Sequence, residues 1–209
     1  MQALILAAGM GKRLKDLTKD SAKCMVRVNG KTLIERMLTQ LDQLNLERIA
    51  IVVGYKADGL ISYIDTLHVK TPITFIKNEN YSNTNNIYSL YLARDYLLED
   101  DTLLLESDLV FSDDVLKRLI NNPYPDLALV AKYENWMDGT VVTLDSQSNI
   151  TSFIEKKHFN FNDIGQYYKT VNIYKFSKLF SKSYYVPFLK AYIESQATNE
   201  YYEQVIKVL

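Results

Sequence analysis

The sequence predicts an α/β fold: a mainly parallel, doubly wound sheet with a small β-containing elaboration after it. Three observations carry this expectation. Short runs of β-branched and aliphatic residues alternate with longer stretches whose apolar positions recur at helical spacing. The alternation continues to about residue 132, as repeated βαβ units require. After about residue 133 the pattern changes, and two brief strand-like runs follow each other directly.

Each element has its own justification. Gln2 to Ala8 is a short apolar run and reads as a buried strand. Thr32 to Leu44 reads as a helix, because Leu33, Ile34, Met37, Leu38 and Leu41 line one face. Arg48 to Val53, rich in β-branched residues, is the second strand. Ala57 to Leu67 is helical, and Ile73 to Lys77 is the third strand. Asn86 to Leu98 is a helix with Ile87, Leu90, Tyr91 and Arg94 in register. Thr102 to Leu105 is the fourth strand. Ser112 caps a helix that runs through Ile120, with Asp113 and Asp114 in its first turn. Leu127 to Lys132 is the fifth strand. Beyond it, Thr140 to Leu144 and Ile150 to Glu155 form a hairpin or a paired insertion. Tyr168 to Tyr174 is another strand, and Ser177 to Ser195 and Asn199 to Val208 are helical. No repeat, linker or low-complexity tract divides the chain, so residues 1–209 are expected to form one domain.

Composition narrows the classes of function. Apolar residues make up 47% and charged residues 23% of the 209, as in a globular protein. A formal net charge of −1 argues against a nucleic-acid partner. No apolar run reaches the roughly 18 residues of a membrane span. Ala3 to Ala8 is too short for a signal peptide and has no basic region before it. No membrane partner is expected, and the expected location is cytoplasmic. The single cysteine, Cys24, excludes an internal disulfide and reads as a small buried or loop residue. His68 and His158 read as surface residues. The charge is uneven, however. Lys12, Arg13, Lys15, Lys19, Lys23, Arg27 and Lys31 face only Asp16 and Asp20 between residues 12 and 31. Such a patch suggests a small anionic partner; the plain alternative is a solvated charged face.

The glycines of LAAGMGKRL, residues 6–14, invite comparison with three phosphate-binding schemes. A P-loop needs G-x-x-x-x-G-K-S/T, but Leu6 and Arg13 occupy two of its positions. A dinucleotide fingerprint needs G-x-G-x-x-G, but Leu14 takes the third glycine's place and the later acid is missing. The third scheme is a strand, then A-A-G-x-G-x-R, then a lysine about ten residues on. There the glycines let backbone amides approach a phosphate, and Arg13 offers a forked donor. Lys23 is far enough along to return over a loop.

On these residues the chain resembles the nucleotidyltransferases that join nucleoside triphosphates to phosphorylated small molecules. Their hallmark is LAAGxGxRL, then P-K, then V-x-G-K-P-L-I. Here it reads Leu6-Ala7-Ala8-Gly9-Met10-Gly11-Lys12-Arg13-Leu14, Lys23, and Val28-Asn29-Gly30-Lys31-Thr32-Leu33-Ile34. Ala22 and Thr32 stand where the family usually or often has proline, which affects loop stiffness more than chemistry. Asn-Asn-x-Tyr-Ser-Leu, from Asn85, resembles the branch that uses CTP with phosphocholine, 2-aminoethylphosphonate and related zwitterions.

The resemblance implies roles. Arg13, Lys23 and Lys12 would be catalytic. Leu6, Ala7, Ala8, Gly9, Gly11 and Ser107 would line the nucleotide. Thr84, Asn85 and Asn86 would read the base or ribose; taken alone, they suit helix caps as well. Asp108, at the exit of the fourth strand, would hold Mg²⁺, with Glu106 beside it as a cap or a cation's partner. Lys132, Trp136, Asp138, Glu155 and Tyr174 would meet the acceptor, Trp136 against an ammonium or simply as a core or rim aromatic. Residues 1–132 would bind the nucleotide and residues 133–209 the acceptor. The family also brings a second acidic ligand from beyond a helix resembling NEYYEQVIKVL, whereas this chain stops at Leu209. The expectation is a shortened, poorly active form; the alternatives are that Asp138 or Glu155 substitutes for that acid, or that metal binding is weak. A further C-terminal domain or a homo-oligomer stays open. The expected reaction is Mg²⁺-dependent nucleotidyl transfer from CTP. A sugar-1-phosphate acceptor, or a domain that binds nucleotide without chemistry, is the alternative.

Overall fold

A computed structural model describes residues 1–209. The chain runs through β1 (Gln2–Ala7), two short 3-10 turns (Lys12–Thr18 and Lys23–Met25), and a small ribbon of β2 (Arg27–Val28) and β3 (Lys31–Thr32). Next come α1 (Leu33–Leu41), β4 (Ile49–Val53), α2 (Ala57–Asp65), β5 (Ile73–Lys77), α3 (Asn86–Leu92), α4 (Arg94–Glu99) and β6 (Thr102–Glu106). They are followed by α5 (Asp114–Asn121), β7 (Leu127–Lys132), β8 (Val141–Leu144), β9 (Ile150–Ile154) and β10 (Tyr168–Phe176). The chain closes with α6 (Lys178–Phe180), α7 (Val186–Glu194) and α8 (Glu203–Val208).

The main sheet has the order β5-β4-β1-β6-β10-β8-β9, with β7 also paired to β10. Its first four strands are parallel. Successive side chains of β1 point to opposite faces, as a strand requires. Ala3, Ile5 and Ala7 join α1, α2 and α5 in one buried cluster. Leu4 and Leu6 join α3, α4, α7 and α8 in the other. Helices therefore cover both faces, and the apolar stripe of α1 fills the first cluster with Ile34, Met37, Leu38 and Leu41. Thr32 caps α1 by accepting the Glu35 amide at 3.0 Å. No helix is long and apolar enough to cross a membrane.

The departures from expectation have local causes. The helix expected over Asn86–Leu98 breaks at Ala93 (φ −95°, ψ 9°), and the Arg94 guanidinium turns back over the Tyr91 ring at 4.3 Å. Ser112 does not cap a helix amide; its hydroxyl donates to the Asp114 carboxylate at 2.6 Å. Ser177–Ser195 splits around a π-helical turn at Ser181–Tyr185, just before Pro187, which has no amide to continue the ladder. The last helix starts late because Thr198–Tyr202 is used as a strap. The Asn85 amide donates to the Thr198 carbonyl at 2.9 Å and the Ile87 amide to the Glu200 carbonyl at 3.4 Å.

The strand at residues 168–176 carries more than expected. It runs antiparallel against β6, β7 and β8 in turn. Its register with β7 shifts between Thr170 and Tyr174, and inside that bulge Asn172 is left-handed, with φ 58°.

Candidate active site

Parallel strands of an open α/β sheet leave their crevice at the carboxyl ends. Here β1 and β6 are neighbours in register, with Leu6 beside Glu106. The glycine loop leaving β1 and the acids leaving β6 therefore emerge side by side. The Ser107 amide donates to the Leu6 carbonyl at 3.2 Å and fixes the two exits together.

The loop turns at Gly11, which is left-handed (φ 63°, ψ 28°). A Cβ there would lie 3.0 Å from both Lys23 Cβ and Thr18 Cγ2. Thr18 is buried, and its hydroxyl donates to the Gly11 carbonyl at 3.0 Å, which ties the loop shut. The closed loop returns Lys23 to the β6 exit, where its ammonium pairs with Asp108.

A cavity of about 740 Å³ opens over these groups. Leu6, Ala8, Gly9 and Gly11 line one wall, with the cations Lys12, Arg13 and Lys23 around them. Glu106, Ser107 and Asp108 form the floor. Burial pushes the Glu106 carboxyl up to about 8, against a hydrogen bond from Asn86; the charges of Asp108 and Glu203 reinforce the rise and Lys23 opposes it. Cys24 lies beneath, its thiol driven to about 12 by burial.

Thr84, Asn85 and Asn86 line a third wall, but their side chains are largely engaged with protein. Thr84 Oγ1 donates to the Asn80 carbonyl at 2.8 Å and accepts from Asn78 Nδ2 at 3.2 Å. Asn85 Oδ1 caps α3 through the Asn86 amide at 2.8 Å. Asn86 bonds Glu106 and the Tyr202 amide. The wall is itself pinned by buried Asn78, which also donates to Ser89 Oγ at 3.0 Å and accepts the Asn80 amide at 3.0 Å. Gly54 packs behind Ala8 and Tyr81, which line the cavity: a Cβ there would stand 2.8 Å from the Ala8 carbonyl oxygen and from Tyr81 Cβ.

The far end differs most from expectation. Asp138 reaches the cavity, paired to Lys156 at 2.9 Å, and that bond holds its carboxyl below the usual range. The structure does not bring the other four acceptor candidates, or Ala7, to this cavity. Lys132 donates to the Gly165 carbonyl and lies 4.4 Å over the Tyr168 ring. Trp136 is 77% exposed, and its indole donates to Glu134 at 2.7 Å. Tyr174 is 1% exposed, packed in the core against Phe176 and Tyr202. Ala7 is buried in the β1–β4 pairing. Glu155 lines a neighbouring cavity of about 240 Å³; hydrogen bonds from Lys157 and Gln204 pull its carboxyl to about 2.

In their place stand Lys169, Thr170, Asn172, Tyr201 and Glu203. Glu203 has one carboxylate oxygen buried without a partner, as Asn172 has its amide oxygen. Burial raises the Glu203 carboxyl and lowers the Lys169 ammonium. Glu203 thus brings an acid of the carboxyl-terminal segment to the cavity; it lies within NEYYEQVIKVL, not beyond it. Sequence reading passed over it because its neighbour Tyr202 signals only packing; the strap beneath α3 brings it to the cavity.

Residues 3–174 match the MobA-like NTP transferase domain. The chain belongs to that family. Among similar proteins is the CMP-5'-(3-aminopropyl)phosphonate synthase of Streptomyces rubellomurinus, 27% identical over 207 residues, which is 99% of this chain and 33% of that one. The choline-phosphate cytidylyltransferase of Haemophilus influenzae is 33% identical over 151 residues, 69% of this chain and 62% of that one. The chain thus spans less than two thirds of either relative. The solved CTP:phosphocholine cytidylyltransferase of Streptococcus pneumoniae superposes with a TM-score of 0.76 at 23% identity, covering 99% of this chain and 83% of that one. That likeness is one of fold: this NTP-transferase domain has the same mixed α/β architecture.

Proposed function

We propose that this chain transfers the cytidylyl group of CTP to a small phosphorylated or phosphonate zwitterion and releases pyrophosphate. The observation that carries the reading is the meeting of Lys12, Arg13 and Lys23 with Asp108 in one cavity, at the exits of two adjacent parallel strands. Similarity to cytidylyltransferases that act on choline phosphate supports CTP over other nucleotides.

An acceptor oxygen attacks the α-phosphorus as the bond from that phosphorus to the pyrophosphate oxygen breaks. The second pKa of a phosphate monoester is about 6, so the attacking oxygen is already ionised near neutrality and no general base is needed. The work of the chain is alignment and charge neutralisation. Lys12 and Arg13 steady the leaving pyrophosphate, and Lys23 bridges the phosphates. The amides around Gly9 and Gly11 approach them from the loop.

Asp108 would hold Mg²⁺. A carboxylate 28% exposed on a cavity floor, bonded here to Lys23, suits an ion that binds through one or two carboxylates plus substrate phosphates once Lys23 turns to those phosphates. The ion supplies neutralisation of phosphate charge when bound. Residues 1–132 serve the nucleotide and residues 133–209 the acceptor. Glu203, an acid with no cation paired to it, suits the acceptor's ammonium.

A pyrophosphate-release screen tests this. It crosses four nucleoside triphosphates with phosphocholine, 2-aminoethylphosphonate, phosphoethanolamine and sugar 1-phosphates. Release from CTP with an amine-bearing acceptor is expected. Release only with a sugar 1-phosphate, or CTP binding without release, overturns the reading.

A further inference from the structure

We infer that Asn86 is a positioning residue that braces the two acidic walls of the cavity against each other; this role rests on the nucleotidyl-transfer reading above. Its amide nitrogen donates to Glu106 Oε1 at 2.9 Å, two residues before Asp108 on the β6 exit. Its amide oxygen accepts the Tyr202 backbone N–H at 3.0 Å, one residue before Glu203. A backbone N–H can only donate, so the oxygen must face Tyr202 and the nitrogen Glu106. Only a side chain with a donor at one end and an acceptor at the other meets both demands.

The neighbouring backbone makes the brace stiff. Asn85 and Ile87 take the Thr198 and Glu200 carbonyls, so the strap is held on both sides of Asn86. Tyr202 is fully buried, edge-on to Tyr174 at 5.7 Å, and its carbonyl accepts the Tyr185 hydroxyl at 3.0 Å. Tyr202 therefore moves with the brace, and Glu203 moves with Tyr202. This departs from the direct base or ribose contact that the sequence suggests for Asn86. Disturbing the brace moves Glu203 and the acceptor end. It leaves the glycine loop, Lys23 and the Asn78 wall where they are.

A charge-swap cycle tests the inference with wild type, Asn86→Asp, Glu106→Gln and the double variant. In buffer well above pH 8, where the Glu106 carboxyl is ionised, Asp at 86 still accepts from Tyr202 but sets a carboxylate against Glu106. Gln at 106 then donates to that carboxylate, restoring the bond with reversed polarity. In hydrogen exchange, Asn86→Asp speeds the peptide covering 198–205 about fivefold or more, and the double variant returns it to within about twofold of Glu106→Gln. In kinetics with CTP and 2-aminoethylphosphonate, Asn86→Asp raises the acceptor KM about tenfold with the CTP KM within about twofold, and in the Glu106→Gln background it changes neither. Equal effects of Asn86→Asp in both backgrounds overturn the brace. So does a rise confined to the CTP KM, which would make Asn86 a nucleotide contact. Absence of turnover in wild type counts against the reaction, not the brace, which the exchange cycle still decides.

Discussion

Replacing Gly11 by alanine separates a backbone requirement from a general need for flexibility. At φ 63° an alanine is forced into the left-handed region, which costs about 1–2 kcal/mol for an L-residue. The new Cβ also meets Lys23 Cβ and Thr18 Cγ2 at 3.0 Å, contacts that make the neighbours shift. Together the cost is about 2 kcal/mol, or about a 30-fold drop in the closed-to-open ratio of the loop, which sets the upper limit of the affinity lost. Calorimetric titration with CTP and Mg²⁺ should show that loss in affinity, while the melting temperature changes little because the loop opens without unfolding the sheet. Gly11→Asn tolerates the left-handed turn better and should recover the torsional part of the loss. A Cβ at Gly9 meets no protein atom within 4 Å, so Gly9→Ala should lower CTP affinity only through contact with the ligand. Wild-type CTP affinity in Gly11→Ala would refute the reasoning.

Three further outcomes are expected. Tyr174→Phe should hold or raise the melting temperature and leave the acceptor KM nearly unchanged, because the buried hydroxyl has no hydrogen-bond partner and Tyr174 does not line the cavity; a large KM rise would return Tyr174 to the acceptor site. Trp136→Ala should shift stability by less than about 0.5 kcal/mol in a denaturant titration, as befits an exposed side chain. Asp42 is pushed up by burial, but hydrogen bonds from Thr71 and Lys70 outweigh that and hold its carboxyl below 3.8. Its stabilisation is therefore complete above that value and is lost as pH falls through the folded-state value. Asp42→Asn should lower the melting temperature by about 2–4 °C at neutral pH, for about 1 kcal/mol lost, and the difference should close in acid; a pH-independent difference would exclude the charge as its source.

The alternation of strands and helices was legible because each parallel strand is wholly buried and each covering helix has one apolar face. Leu33, Ile34, Met37, Leu38 and Leu41 could hardly face elsewhere. The glycine loop was legible because left-handed turns and close approaches restrict residue choice. The far end of the cavity was not. Trp136 and Lys132 carry the right chemistry but lie outside the cavity, a difference that depends on where β7 and the loop after it fall. Tyr174 follows a bulge that turns Asn172 left-handed, and no periodicity announces a bulge. Glu203 depends on the docking of Thr198–Tyr202 across a helix more than a hundred residues earlier. Side-chain identity could suggest Asn86 as a polar contact, but not that both ends of its amide were already taken.

The antiparallel course of β10 has a consequence for anyone who would cut or recombine this protein. That strand is bonded in succession to β6, which belongs to the first half, and to β7 and β8. A fragment ending near residue 132 would leave two strands with bare rows of amides and carbonyls, an invitation to aggregate. The proposed division into nucleotide and acceptor halves is therefore not a seam in the fabric of the sheet. A chimera with a new acceptor specificity would have to carry the whole of residues 168–176 with it, or vary only the loops on either side.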